Sequence, residues 1–322
     1  MRTLVTGGAG YIGSNLVDAL MAEGHDVSVV DNLSTGRIEN IAHWLGHDRF
    51  HFVCDTILNR DLVDHLVAGV DLVYHLAALV GVKYIVDDPV EGIRTNVTGT
   101  EIVLEKAYKY WKRTVIASSS EVYGRNPDVP WREDGQSVFG PTTVSRWSYA
   151  FSKALDEHLA HSYSLQGLPV TAVRYFNSYG PRLDPNGYGS VVARFITQAR
   201  AGQPITVYGD GCQTRSFTYV DDTVRGTILA GTVPAAVGQV FNIGSNREIA
   251  IRDLGAKIRD LVASASDIVH VPLQEAYGDH FEEIPRRVPD TQRAVRVLGF
   301  RAGTPLEQGL KKTLAWFESL DS

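Results

Sequence analysis

Thr6-Gly7-Gly8-Ala9-Gly10-Tyr11-Ile12-Gly13-Ser14, close to the start of the chain, decides the fold. It follows the strand-like run Thr3-Leu4-Val5-Thr6 and leads into apolar residues at helical spacing over 11–23, so its glycines stand at a strand-to-helix turn. There Gly7 permits a tight turn, Gly10 lets a pyrophosphate approach the backbone, and Gly13 allows close helix–strand packing. The new helix presents its N-terminus to the phosphates, and Tyr11 and Ile12 belong to the same cofactor-binding turn. Asp31, ending the next strand-like run, is placed to accept hydrogen bonds from an adenosine ribose and to repel a 2′-phosphate, which favours NAD. Asn32 follows it, and Arg37 is the nearby cation that could take such a phosphate instead. A strand-end turn aspartate is the plainer reading of Asp31. Asp55, after the third strand, either reaches the adenine or is a solvated loop residue.

Outward from that loop, short β-branched runs alternate with helical patterns. Asp26–Val30, Phe50–Val53, 70–75, 114–117 and Val170–Tyr175 read as strands, and 11–23, 61–68, 89–110 and 148–166 as helices. Near-continuously apolar strands separated by helices predict an α/β fold, a doubly wound parallel Rossmann sheet covered on both faces. After about residue 176 the rhythm loosens, with glycine- and proline-bearing loops at 180–189 and 208–213 and helices near 190–201, 221–231, 251–263 and 305–318. The expectation is an NAD-binding domain over 1–176 and a smaller α/β substrate-binding domain over 177–322, some segments crossing back, around a shared cleft.

A chain of 322 residues, 44% hydrophobic and 21% charged, is long enough for about two cores and too apolar for disorder. Its 31 basic and 37 acidic side chains leave a net charge of −6 with no basic run, so nucleic acid and anionic membrane are not expected partners. An anionic ligand must then meet a few locally placed cations. Cys54 and Cys212 cannot form a disulfide framework and lack metal-ligand spacing; no metal is expected, and both read as buried small hydrophobes in a reducing cytoplasm. Met1 is followed by a strand rather than a secretory stretch, and the most apolar window, 72–86, falls short of the roughly 20 residues a bilayer requires.

Tyr149 and Lys153 stand four apart on a predicted helix, one turn apart on the same face. A lysine there can lower the phenol's pKa and make it a base for a hydroxyl proton while hydride leaves the same carbon. Ser119, in Ser118-Ser119-Ser120-Glu121, lies at a strand's carboxyl end, where α/β active sites assemble.

These residues resemble the extended short-chain dehydrogenase/reductases that modify nucleotide sugars, the NAD-dependent epimerase/dehydratase family. The resemblance runs through the glycine loop, Asp31-Asn32, His75-Leu76-Ala77-Ala78, Asn96, the Ser119, Tyr149 and Lys153 triad, Arg174-Tyr175-Phe176-Asn177, Val207-Tyr208-Gly209-Asp210-Gly211 and Phe241-Asn242-Ile243-Gly244. It implies a bound NAD recycled within one turnover and touched by Leu76, Ala77, Ala78, Asn96, Tyr149 and Lys153. It also implies a nucleoside diphosphate, with Asn177 and Arg215 on the diphosphate, Val191, Val207 and Tyr208 toward the base, and Tyr84 near the sugar. The family habit further implies a homodimer.

Within the family, Ser120-Glu121-Val122-Tyr123-Gly124 is similar to UDP-glucuronate decarboxylases, including UDP-xylose synthases. In the similar 4,6-dehydratases an aspartate occupies the place of Ser120, and serine is too weak an acid to replace it. Arg287, in Pro285-Arg286-Arg287-Val288-Pro289-Asp290, aligns with the arginine that holds the substrate carboxylate; the plainer reading is a surface arginine pair. In those decarboxylases a tyrosine precedes a proline by four, whereas Tyr84 precedes Pro89 by five, and His75-Leu76-Ala77-Ala78 is epimerase-like. The expected activity is conversion of UDP-glucuronate to UDP-4-keto-xylose or UDP-xylose. The alternatives are a UDP-sugar 4-epimerase and a catalytically silent NAD-binding sensor.

Overall fold

In a computed structural model the described residues are 1–80, 88–184, 190–277 and 283–320. Six strands, β1 (Arg2–Thr6), β2 (Asp26–Val30), β3 (Phe50–Val53), β4 (Leu72–His75), β5 (Arg113–Ser119) and β6 (Val170–Tyr175), join a seventh, Val240–Ile243, in one sheet. Its order is β3-β2-β1-β4-β5-β6 and then the seventh strand, and each neighbouring pair is parallel. The expected strands are therefore present, and the chain reverses its direction of sheet growth between β1 and β4. Ligands of open α/β sheets bind outside the strand ends at such a switch point. Thr6 faces His75 across it.

Successive strand residues serve opposite faces, so both faces carry a core. Val5, Tyr74 and Val115 pack on the side of Leu16, Val17 and Leu20 from the helix Tyr11–Ala22. Leu4, Val73 and Ile116 pack with Val63 and Val67 of Arg60–Gly69 and Ile102 and Leu104 of Gly99–Lys109. The pattern expected at 89–110 is not one regular helix. Pro89–Ile93 passes through a π turn, Arg94–Thr98, before Gly99–Lys109, and Asn96 sits in that turn. A π turn inside a helix often marks a functional site.

In the second half, Ile205–Tyr208 pairs with Ile268–Val271, and Thr214–Ser216 lies between Glu248–Ala250 and Arg286–Arg287. The seventh sheet strand also comes from this half and pairs with β6, so the chain crosses back over the expected boundary. One expectation fails. Both cysteines are exposed, because Cys54 follows the end of β3 and Cys212 sits in a turn with its N–H donating to Asp210 Oδ1 at 2.9 Å. Among the described residues no helix is long and apolar enough to cross a membrane.

Candidate active site

The glycine turn has no room for larger residues. Gly7 has φ +72°, and a Cβ on it would come within 2.7 Å of the Ala77 nitrogen; one on Gly13 would meet the Gly7 carbonyl oxygen at 2.0 Å. Gly10 caps the helix Tyr11–Ala22 with no side chain bonded over the first turn, and Ile12 lies within that turn. The first N–H groups and the positive end of the helix dipole thus face the turn, a cradle that fits a pyrophosphate. Tyr11 is drawn toward the second half, its hydroxyl 3.2 Å from Ser178 Oγ.

Asp31 is buried, and its two oxygens accept from Ala9 N and Leu33 N, each at 2.9 Å. Burial pushes its carboxyl above the ordinary range while these N–H groups pull it back. Each oxygen keeps acceptor capacity for a ribose hydroxyl. Arg37 is committed to Asp184 at 2.7 Å, and Asn32 accepts from Ser34 N at 3.1 Å. Asp55 uses its oxygens locally, on Thr56 N at 2.7 Å and Asn59 Nδ2 at 2.9 Å, the behaviour of a loop aspartate.

The loop after β4 is pinned from three sides. Leu76 N donates to Thr6 O and Ala77 N to Thr6 Oγ1, both at 3.1 Å, and half-buried Ala78 follows. Asn96, fully buried, accepts from Leu79 N at 2.7 Å and donates to Leu79 O at 3.2 Å and Ser152 Oγ at 3.4 Å. Its amide therefore ties this loop, which adjoins the glycine turn, to the Arg146–Leu165 helix. His75 lies between Thr6 Oγ1 at 2.8 Å and Thr100 Oγ1 at 3.0 Å, and burial drives its pKa down to about 3, so it stays neutral.

Ser119 ends β5 and its Oγ accepts from Glu121 N at 3.2 Å; Ser120 is buried beneath the same turn. Tyr149 and Lys153 lie one turn apart on the Arg146–Leu165 helix, as expected. The phenol is not lowered overall: burial raises its pKa, and Lys153 and a hydrogen bond from Ser119 only draw it back. Burial works against the Lys153 ammonium, but Asp156, Tyr149 and Glu157 more than offset it and hold its pKa above the ordinary value. The lysine's nearest acid is Asp156, 3.0 Å away. Below them, Arg174 grips Glu157 at 2.6 and 2.9 Å, and Ser118 donates to the same carboxylate.

Arg286–Arg287 is a two-residue strand, so its side chains point to opposite faces. Arg286 turns outward to Glu248 at 2.5 Å, while Arg287 is buried and bonds Glu121 Oε1 at 2.7 Å. The segment is fixed by Trp131 N on Val288 O at 2.8 Å and by Asn242 Nδ2 on Trp131 O at 2.8 Å and Asp290 O at 3.0 Å. Arg215 pairs with Arg287 in the strand register and is also no surface cation: it holds Glu283 at 2.5 Å and the carbonyls of Thr214 and Ile284 at 2.8 Å. Burial and the neighbouring Arg287 bring its pKa down to about 10.

The remaining expected ligand residues divide. Asn177 adopts φ +33° and donates to Ser216 O at 3.1 Å, which places its amide beside the Thr214–Ser216 strand. Val191 opens the helix Val191–Arg200, and Tyr208 has the Arg194 guanidinium 4.0 Å above its ring. Val207 is completely buried in the core, so only its backbone can face a ligand. Tyr84 lies outside the described residues. Asp156, Glu157 and Glu283 were not singled out from sequence; the spacing of three from Lys153 was the signal for Asp156.

The chain matches the family model described as GDP-mannose 4,6 dehydratase over residues 4–313. It is 43% identical over 321 residues to the UDP-N-acetyl-alpha-D-glucosaminuronate decarboxylase of Bacillus cytotoxicus, covering 100% of this chain and 99% of that one. It is 40% identical over 318 residues to UDP-glucuronic acid decarboxylase 1 of Danio rerio, covering 98% of this chain and 72% of that one. Among solved structures, UDP-glucuronic acid 4-epimerase from Bacillus cereus, in complex with UDP-glucuronic acid and NAD, superposes with TM-score 0.88 at 30% identity, covering 99% of this chain and 100% of that one. With a match that spans nearly its whole length, this chain belongs to the GDP-mannose 4,6 dehydratase family, whose members are NAD-dependent enzymes of nucleotide-sugar chemistry.

Proposed function

We propose that this chain is an NAD-dependent decarboxylase of a UDP-linked uronic acid, converting UDP-glucuronate to UDP-xylose through UDP-4-keto-xylose. The Arg287–Glu121 pair carries this reading, because it joins a buried guanidinium to a half-buried carboxylate that stands two residues beyond Ser119. Residues 1–176 bind the dinucleotide and 177–322 most of the nucleotide sugar. Asn177 and Arg215 take the diphosphate, with Val191, Tyr208 and the Val207 backbone toward the base.

NAD, when bound in the glycine cradle, would supply the acceptor for the C4 hydride and give that hydride back to C4 once carbon dioxide has left, while Tyr149 returns its proton to the C4 oxygen to yield UDP-xylose. Tyr149 Oη takes the C4 hydroxyl proton, aided by the charge on Lys153 and the Ser119 hydroxyl. Oxidation at C4 makes the sugar a β-keto acid, and Arg287 anchors its carboxylate through a planar fork suited to that group. As carbon dioxide leaves, negative charge spreads onto the C4 oxygen, where Tyr149 and Ser119 donate hydrogen bonds. Glu121, released from Arg287 by the substrate carboxylate, positions the proton that C5 receives.

A second substrate is favoured by one observation: the relative that is 43% identical over its full length is named for the 2-acetamido sugar acid. Purified protein is to be incubated with UDP-glucuronate, UDP-N-acetylglucosaminuronate and neutral UDP-hexoses, and the products weighed by mass spectrometry. A loss of carbon dioxide is expected, and the uronate turned over faster names the substrate. Unchanged mass with inverted C4 would replace this reading with a 4-epimerase.

We also propose that the enzyme is a homodimer of a reducing cytoplasm. The two exposed, unpaired cysteines support the setting. Val90 and Ile93 beside Gly99–Lys109, and Phe151 and Leu155 on Arg146–Leu165, are exposed at 74%, 47%, 41% and 45%, on helices that touch each other. Such an apolar face suits a second copy. Leu155→Asp is expected to convert the dimer to monomer in light-scattering chromatography; a wild type that already elutes as a monomer would end the proposal.

A further inference from the structure

Lys153 and Asp156 form an ion pair inside the protein, with side chains only 3% and 1% exposed and Nζ to Oδ2 at 3.0 Å. The other oxygen, Asp156 Oδ1, has no hydrogen-bond partner. Two charges sealed from water gain little over an apolar pair of the same volume, and an unmet oxygen adds a further cost. Stability alone does not account for the pair.

We propose that Asp156 is a positioning residue that holds the Lys153 ammonium charged and aimed for use by Tyr149. The proposal rests on the reading of Tyr149 as the base. The other groups around Lys153 cannot take over the task. On its own helix, Glu157 is held by Arg174 of β6 and by Ser118 of β5. From β4, His75 is neutral, and from the turn after β5, Glu121 is held by Arg287. Asp156 is the carboxylate that bonds the ammonium directly. Without it Lys153 remains buried beside no bonded counter-charge, and burial then favours the neutral amine. Rising pH would strip the proton from Lys153, and the phenol would lose the positive charge that favours its ionised form.

The test is the pH profile of kcat in Asp156→Asn against wild type, with UDP-glucuronate as substrate. The alkaline limb, set by loss of the lysine proton, is expected to move down by at least about one pH unit. At a pH one unit above the variant's limb and still below that of wild type, kcat is about tenfold lower in the variant, while KM for the UDP-sugar stays within about twofold. Asp156→Glu is expected to return the limb toward wild type. A second reading needs no turnover: in ligand-free protein Asp156→Asn lowers the melting temperature, and Lys153→Met/Asp156→Asn recovers much of that loss because no buried charge is left alone. A profile merely scaled down, with its alkaline limb in place, would overturn the proposal, as would a double variant no more stable than Asp156→Asn. If wild type turns over no sugar nucleotide, the reading of Tyr149 fails instead, and the melting data still judge the ion pair.

Discussion

Tyr149→Phe is expected to lose at least about 10³-fold in kcat while the protein still purifies with NAD and keeps its melting temperature within a few degrees, the range of effects seen when a positioned acid–base group is removed. Only the phenolic oxygen is deleted, and the ring continues to fill its place on the Arg146–Leu165 helix. The glycine cradle, Asp31 and the loop pinned by Asn96 are untouched, so the dinucleotide has no reason to leave. The sign of the pH dependence follows from the geometry. Burial holds the phenol above its ordinary pKa, and a base works only when deprotonated, so wild-type activity rises with pH until Lys153 loses its proton. Measuring single-turnover reduction of bound NAD by its absorbance near 340 nm checks the chemistry itself. Retained reduction in Tyr149→Phe would remove Tyr149 from the role of base.

How far the sequence could carry these conclusions depended on the range of the interaction concerned. Local periodicity placed β2, β3 and β6 at their observed bounds, because a buried parallel strand must be apolar on both faces. The four-residue spacing of Tyr149 and Lys153 was equally legible, since it needs only a helix. Partner choice was not. Glu121 and Arg287 meet across about half the length of the chain, and nothing in either neighbourhood announces the other. For Arg287 the sequence leaves a carboxylate-holding arginine and one of a surface pair side by side; strand alternation, invisible in so short a run, sends Arg286 to solvent and buries Arg287 against Glu121. Val207 shows the reverse case, where the right element was assigned but the pleat turned its side chain into the core.

The same distinction explains the smaller corrections. Cys54 was read from residue type, and free cysteine is usually buried, but its position just past β3 leaves it in solvent. The resemblance names Asn96 but not its neighbours; its amide pairs with both backbone polar groups of Leu79, a contact 17 residues away that no local pattern shows. Lys153 was found and its acid was missed, although Asp156 is only three residues away. A carboxylate at that spacing is ordinary on a solvated helix face, and burial is what gives it meaning.

Arg287→Ala is expected to lower kcat/KM for UDP-glucuronate by about 10²–10³-fold and to change the binding of UDP-glucose by no more than about threefold. Truncating one partner of a buried, hydrogen-bonded charge pair costs about 2–5 kcal/mol, and each 1.4 kcal/mol is tenfold. That cost falls on the uronate alone, because a neutral sugar has no carboxylate for the missing fork. Arg215, on the neighbouring strand and proposed for the diphosphate shared by both ligands, is left in place. Part of any loss could come from Glu121, left without its partner at 2.7 Å. Arg287→Ala/Glu121→Gln separates the two causes: removing that charge should restore the fold but not the preference for the uronate. Arg287→Lys keeps the charge, loses the planar fork and is expected to fall between wild type and alanine. Calorimetric binding of both sugar nucleotides to each variant decides the matter. Equal losses for the charged and neutral ligands would show that Arg287 braces the Trp131–Val288 segment rather than gripping a substrate carboxylate.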